Sequence, residues 1–202
     1  MPTRSSRRGG CTSSLVTRRL TGPAAPPRRP LGDIGRPTIG QDVEVTTPAP
    51  ATSIEPRPYD HPDVQTLVEG LQQLYVEIYG GRDDSPIDRS EFELPRGTFA
   101  VAYESGEPVA LGAWRLLPDG RAELKRMYVR PDRRGRGLSR SVLTWLEGSA
   151  SDAGVTEMVI ETNVAHDTAI RLYESAGYRP IAAYGHYADD AGTVSLGRTL
   201  AS

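Results

Sequence analysis

From residue 53 onward the apolar positions fall into periods that identify elements, and before it they do not. Ser53–Pro58 alternates enough to be a short strand, which its two prolines confine to a sheet edge. Val64, Leu67, Val68, Leu71, Leu74, Tyr75 and Ile78 then recur at helical spacing, with Asp60 as the expected N-cap, Pro62 in the first turn and Gly80-Gly81 as the stop. Residues 82–95 are polar and too poor in apolar positions for more than a helical turn or two.

At Thr98 the period shortens to two. Thr98–Tyr103, Pro108–Trp114 and Ala122–Val129 read as an antiparallel meander, with turns at Ser105-Gly106 and Pro118-Asp119-Gly120. Leu138, Val142, Leu146 and Ala150 restore the helical spacing from Gly137 to about Ala153, closed near Gly154. A strand at Val155–Thr162 follows this crossover helix, so it pairs parallel to Ala122–Val129. Asp167 to Gly177 is a further helix, and Tyr178–Ala183 and Thr193–Leu200 are the last strands. The predicted fold class is α+β, a single mixed and mostly antiparallel sheet flanked by helices.

Composition divides the chain near residue 50. Residues 1–40 hold eight arginines against the single acid Asp33, a balance of +7 that leaves −9 for residues 41–202. Pro, Gly, Ser and Thr fill the space between those arginines, so residues 1–50 are expected to be a disordered tail and residues 51–202 the domain. The tail alone offers nucleic acid a counterion-release site, but the acidic body lacks a helix-turn-helix or zinc framework, which argues against that partner. With neither a membrane-length apolar run nor an apolar leader, a soluble cytoplasmic protein is expected. Cys11 stands alone in the tail, and His61, His166 and His186 are too far apart for paired ligand spacing, so no metal is expected.

The candidate chemistry lies between Glu123 and Ser139. A strand ends at Pro131, Gly135 and Gly137 follow between arginines, and a helix begins at once. Glycines permit unusual dihedrals, and the free N–H groups of a helix's first turn face anions, so the order suits a pyrophosphate. A tight turn with solvated arginines has the same composition. Neither a third glycine at dinucleotide spacing nor a Gly-Lys-Ser/Thr ending is present, which disfavours Rossmann and P-loop readings.

Arg134-x-x-Gly137-x-Ser139, preceded by Met127-Tyr128-Val129-Arg130-Pro131, resembles the acyl-CoA motif of the GNAT superfamily of acetyl-CoA-dependent N-acyltransferases, with Ser139 where the family has Gly or Ala. A second motif, Asn163 followed by Ala169-Ile170-x-Leu172-Tyr173-Glu174 and Gly177-Tyr178, resembles the family's later helix. The resemblance covers about residues 53–200 and implies a GNAT-like fold and acetyl-CoA as co-substrate. It also implies transfer to a primary amine in a ternary complex, with room for a homodimer. By that resemblance Met127, Tyr128 and Val129 grip the pantetheine arm. Arg134, Gly135, Arg136, Gly137, Leu138, Ser139 and Arg140 hold the pyrophosphate, and Asn163 belongs to the cofactor site.

Tyr173 is then the acid that protonates the departing thiolate, although a half-buried aromatic on an amphipathic helix reads the same way. Strict alternation places Glu123 on the face of Met127, and the resemblance implies for it the general-base role that some family members give a carboxylate, directly or through water, against the alternative of a surface ion pair with Lys125; Glu161 is a second and poorer candidate. The acceptor pocket is implied at residues 75–92 and 183–187. There Asp83, Asp84, Asp88 and Glu91 would attract a cationic amine or simply be a solvated loop. A non-catalytic acyl-CoA sensor is the competing class, distinguished by whether amines cause thiol release.

Overall fold

The structure, a computed structural model, describes residues 51–83, 85 and 87–201. The expected tail and Asp84 lie outside them. In chain order the elements are β1 (Thr52–Arg57), α1 (Pro62–Tyr79), β2 (Gly97–Glu104), β3 (Glu107–Leu116), β4 (Ala122–Val129), α2 (Leu138–Asp152), β5 (Glu157–Asn163), α3 (Asp167–Ser175), β6 (Arg179–Pro180) and β7 (Thr193–Thr199). The seven strands form one sheet in the order β1-β2-β3-β4-β5-β7-β6, and every pair is antiparallel except β4 with β5. Among the described residues no helix is long and apolar enough to cross a membrane.

Each face of the sheet has its own core. On one, α2 packs Val142, Leu143, Leu146 and Ala150 against Ala100, Ala102, Ala110, Trp114 and Leu124, joined by Tyr173 from α3. On the other, α1 packs Val64, Leu67, Val68 and Leu71 against Phe99, Val101, Leu111, Ala113 and Tyr128. Near the end of α1 Val76, Ile78 and Tyr79 stay exposed, Ile78 although it continues the apolar period.

Three details differ from the sequence expectation. The N-cap of α1 is His61, not Asp60: Pro62 occupies the first helical turn, and the His61 Nδ1 accepts the Asp63 N–H at 3.2 Å. The strand expected over 178–183 pairs only at Arg179–Pro180. Ile181 still donates its N–H to the Ser195 carbonyl, and the chain then leaves the sheet.

The third difference reorders the site. Leu111 faces Tyr128 and Ala113 faces Lys125, so β4 carries one more residue than β3 over the same interval. Arg126, at φ +58°, absorbs it as a bulge. A bulge reverses the side-chain alternation beyond it. Ala122 and Leu124 pack on the α2 face, and so do Met127 and Val129, whereas Tyr128 packs on the α1 face. Glu123 and Met127 therefore lie on opposite faces, contrary to the strict alternation expected.

Candidate active site

Strands β4 and β5 pair only over Ala122–Leu124 and Met158–Ile160. Beyond that register β4 continues through Lys125 to Val129 and β5 through Glu161 to Asn163 without pairing to each other. The bulge bends β4 away, β5 stays with β7 as far as Asn163 and Thr193, and a cleft of about 1150 Å³ opens between them. It runs from the turn after β4 to the carboxylates beyond Lys125. Met127, Tyr128, Val129, Arg134, Gly135, Gly137, Leu138, Ser139, Asn163 and Tyr173 all line it.

The turn end is made of backbone. Gly135 and Gly137 have φ +77° and +79°, a region other residues enter at a cost, and Gly137 is the N-cap of α2 without a side-chain cap. Among the described residues the N–H groups of residues 135–140 donate to no acceptor, and the first bond into α2 is from Ser141 to the Gly137 carbonyl. Successive free donors leading into a helix are the kind of group that an anion pairs with.

The arginines around the turn do not all face the cleft. Arg134 Nε donates to the Val129 carbonyl at 3.3 Å, Arg136 pairs with Glu104 at 3.2 Å, and Arg140 donates to Ser175 Oγ, tying α2 to α3. Neither Arg136 nor Arg140 lines the cleft. Asn163 ends β5 by accepting the Ala165 N–H on its Oδ1 at 2.9 Å, which turns the chain into α3.

Tyr173 sits in the wall of α3, buried edge-on against Tyr178 with ring centroids 5.7 Å apart. Burial, and to a smaller extent neighbouring Tyr75, pushes its phenol up, so it keeps its proton at neutral pH. Tyr75, across the cleft on α1, is pushed up to about 12, chiefly by burial.

The two carboxylates nearest this point differ. Glu123 is 2% exposed, accepts Arg115 Nε at 2.8 Å, stands 3.5 Å from Lys125 Nζ and does not line the cleft. Arg115 also grips Glu91 at 2.6 Å. Glu161 lines the cleft, and its Oε1 is buried without a hydrogen-bond partner among the described residues. Burial raises this carboxyl, against the lowering by the Lys125 charge and a backbone N–H bond from Tyr187. The residue ranked second by sequence therefore has the geometry of a proton acceptor. What hid it was the bulge, for which a single arginine in a strand gives no signal.

Two of the acids at the lip, Asp83 and Glu91, are paired with arginines. Asp83 pairs with Arg126 and accepts the Tyr187 hydroxyl at 3.0 Å. Burial would raise it, but the Ser85 hydrogen bond and the Arg126 charge prevail and hold it below the usual carboxylate range. Asp88 accepts from Ser90, and Glu91 is bound to Arg115. For Asp83 and Glu91 the attraction for cations expected of the lip is met inside the chain.

A model of the acetyltransferase (GNAT) family matches residues 68–178, more than half of the chain and all of the cleft's turn end. The chain belongs to the GNAT acetyltransferase family. It is 32% identical over 128 residues to an IAA acetyltransferase of Azospirillum brasilense, spanning 63% of this chain and 84% of that one. It is 30% identical over 129 residues to the human N-acetylaspartate synthetase, covering 63% of this chain but 43% of that protein. The PaiA N-acetyltransferase of Thermoplasma acidophilum, solved in complex with coenzyme A, shares the fold at TM-score 0.55 and 15% identity, covering 73% of this chain and 99% of that one. This GNAT protein is an N-acetyltransferase, and acyl transfer from acetyl-CoA to an acceptor is the chemistry of its family.

Proposed function

We propose that this GNAT protein transfers the acetyl group directly to a primary amine held in the same cleft, without an acyl-enzyme. Acetyl-CoA supplies an activated thioester and a pyrophosphate that matches the chain's free donors. The N–H groups of residues 135–140 bind the pyrophosphate, and the backbone of Met127 to Val129, unpaired toward β5, lies along the pantetheine route. A donor on this backbone, already oriented, stabilises the oxyanion that develops on the thioester carbonyl.

Two protons have to move. Glu161 accepts the proton of the attacking amine through Oε1, and its raised pKa makes it the better acceptor near neutral pH. Tyr173 gives its hydroxyl proton to the departing sulfur as the C–S bond breaks and the C–N bond forms. Glu123 holds Arg115 and Lys125 in place and takes no part in proton transfer. The observation that carries this reading is the cleft itself, which brings the free-donor turn, Tyr173 and the unpartnered Glu161 oxygen into one space.

The test is release of free thiol from acetyl-CoA when amines are added, with acetyl-CoA binding followed by calorimetry. Binding without thiol release for any amine would leave a sensor and end the catalytic reading. The name of the human relative denotes an acetylated amino acid, a product of the class proposed.

A further inference from the structure

Beyond Glu161 the cleft ends in a knot of four chain segments centred on Asp83. Its N–H donates to Gln72 Oε1 of α1 at 2.9 Å, and its carbonyl accepts Gln72 Nε2 at 3.3 Å. Its carboxylate takes the Ser85 N–H at 2.8 Å, the guanidinium of Arg126 from the β4 bulge, and the hydroxyl of Tyr187 from the connection between β6 and β7. Arg126 is itself buried, so this is a packed junction rather than a contact between two mobile loops. It joins the segment after α1 to the connection before β7 across the acceptor side. On the other flank the rings of Tyr75 and Tyr79 meet His166 at centroid distances of 6.0 and 5.4 Å, joining α1 to the start of α3.

Three polar atoms behind this junction have no hydrogen-bond partner among the described residues: Glu161 Oε1, Tyr184 hydroxyl and Ser195 Oγ. Ser195 stands opposite Glu161 in the β5–β7 register, and a Cβ added to Gly185, next to Tyr184, would lie 3.2 Å from Glu161 Oε2. Of the three only Glu161 lines the cleft, and buried polar groups are normally paired, so its unpaired oxygen marks where a polar guest meets the chain.

We propose that the acceptor is a small amine of amino-acid size, taken in whole at the Glu161 end of the cleft, and not the amino terminus of a polypeptide. This rests on the acetyl-transfer reading above. A polypeptide has a chain to trail out of the site, and the Asp83–Tyr187 and Tyr79–His166 bridges cross the paths it would take. A small amine has none. Its ammonium brings donors to the Glu161 oxygens.

The experiment gives the full chain and acetyl-CoA two sets of acceptors, free amino acids with small mono- and diamines in one, and peptides with free amino termini and internal lysines in the other. Thiol release and product mass are read together, and calorimetry measures binding of each acceptor to the coenzyme A complex. At least one small amine should bind and turn over with kcat/KM about a hundredfold above every peptide. Tyr187→Phe, which removes the bridging hydroxyl and keeps the ring, should narrow that gap about five- to tenfold. Peptides equal to or better than every small amine would overturn the proposal while leaving acetyl transfer intact. Thiol release with neither set would remove the transfer reading, and this one with it.

Discussion

At the turn end of the cleft the ligand-facing groups are consecutive backbone N–H donors from residues 135–140, whereas at the Glu161 end they are side chains from α1, β4, β5, β7 and two connections. The first end needs only a glycine turn running into a helix, so its properties are local and survive changes elsewhere. The second depends on a bulge at Arg126, a junction at Asp83 and a register between β5 and β7. Backbone recognition is cheap to encode in one stretch. Side-chain recognition has to be assembled from far apart, and it carries the titrating groups.

The largest effects should separate the ends by what they leave untouched. Glu161→Gln and Tyr173→Phe should each lower turnover by about two to four orders of magnitude, as for a positioned acid or base, with calorimetric acetyl-CoA affinity nearly unchanged. Wild-type turnover in Glu161→Gln would return the base role to Glu123 or to water.

Gly137→Asp attacks the other end. A unit charge at about 4 Å and an effective dielectric near 20 is worth about 4 kcal/mol, so acetyl-CoA affinity should fall by about three orders of magnitude while the fold persists. The required φ of +79° adds strain for any side chain, which Gly137→Ala measures separately. Unchanged binding by a folded Gly137→Asp protein would mean that the turn is not the pyrophosphate site.

The two carboxylates should part in a stability measurement. Glu123→Gln leaves Arg115 and Lys125 facing an uncharged buried group, and should cost about 3 kcal/mol, the lower end for a broken buried pair because Arg115 reaches solvent. Glu161 acts in the opposite sense. Its folded pKa is raised, so its contribution is full below the unfolded carboxyl pKa and is lost as pH rises through the folded value. Glu161→Gln should therefore melt at or above the wild-type temperature at pH 8, and wild-type kcat/KM should fall as pH drops through the raised pKa. A melting temperature lowered as far as that of Glu123→Gln would make Glu161 structural.

The smallest effect is expected from removing residues 1–50. Given their composition, melting temperature and acetyl-CoA affinity should both stay within error, and a drop in either would move the domain boundary toward the N-terminus.

Much of the molecule was legible because it is encoded over short distances. Apolar periods of 3.6 and 2 located α1, α2, α3 and the meander, since burying one face of an element requires that spacing. The glycine turn, Met127 to Val129 and Tyr173 stood out through contiguous motifs that resemble the family's, and all of them line the cleft. What tertiary structure alone decided was which carboxylate opens to the cleft. One extra residue in β4 at Arg126 reverses the pleat beyond it, so that Met127 and Val129 face away from Glu123, which stays paired across the strands with Arg115. Beyond Ile160 β5 keeps β7 but no longer pairs with β4, and Glu161 lines the cleft that opens there. A bulge is a misfit between two strands, not a property of either one. Likewise Asp83 shows its charge in the sequence, but only packing gives it Arg126 and Tyr187, residues distant in the chain, as partners that neutralise it.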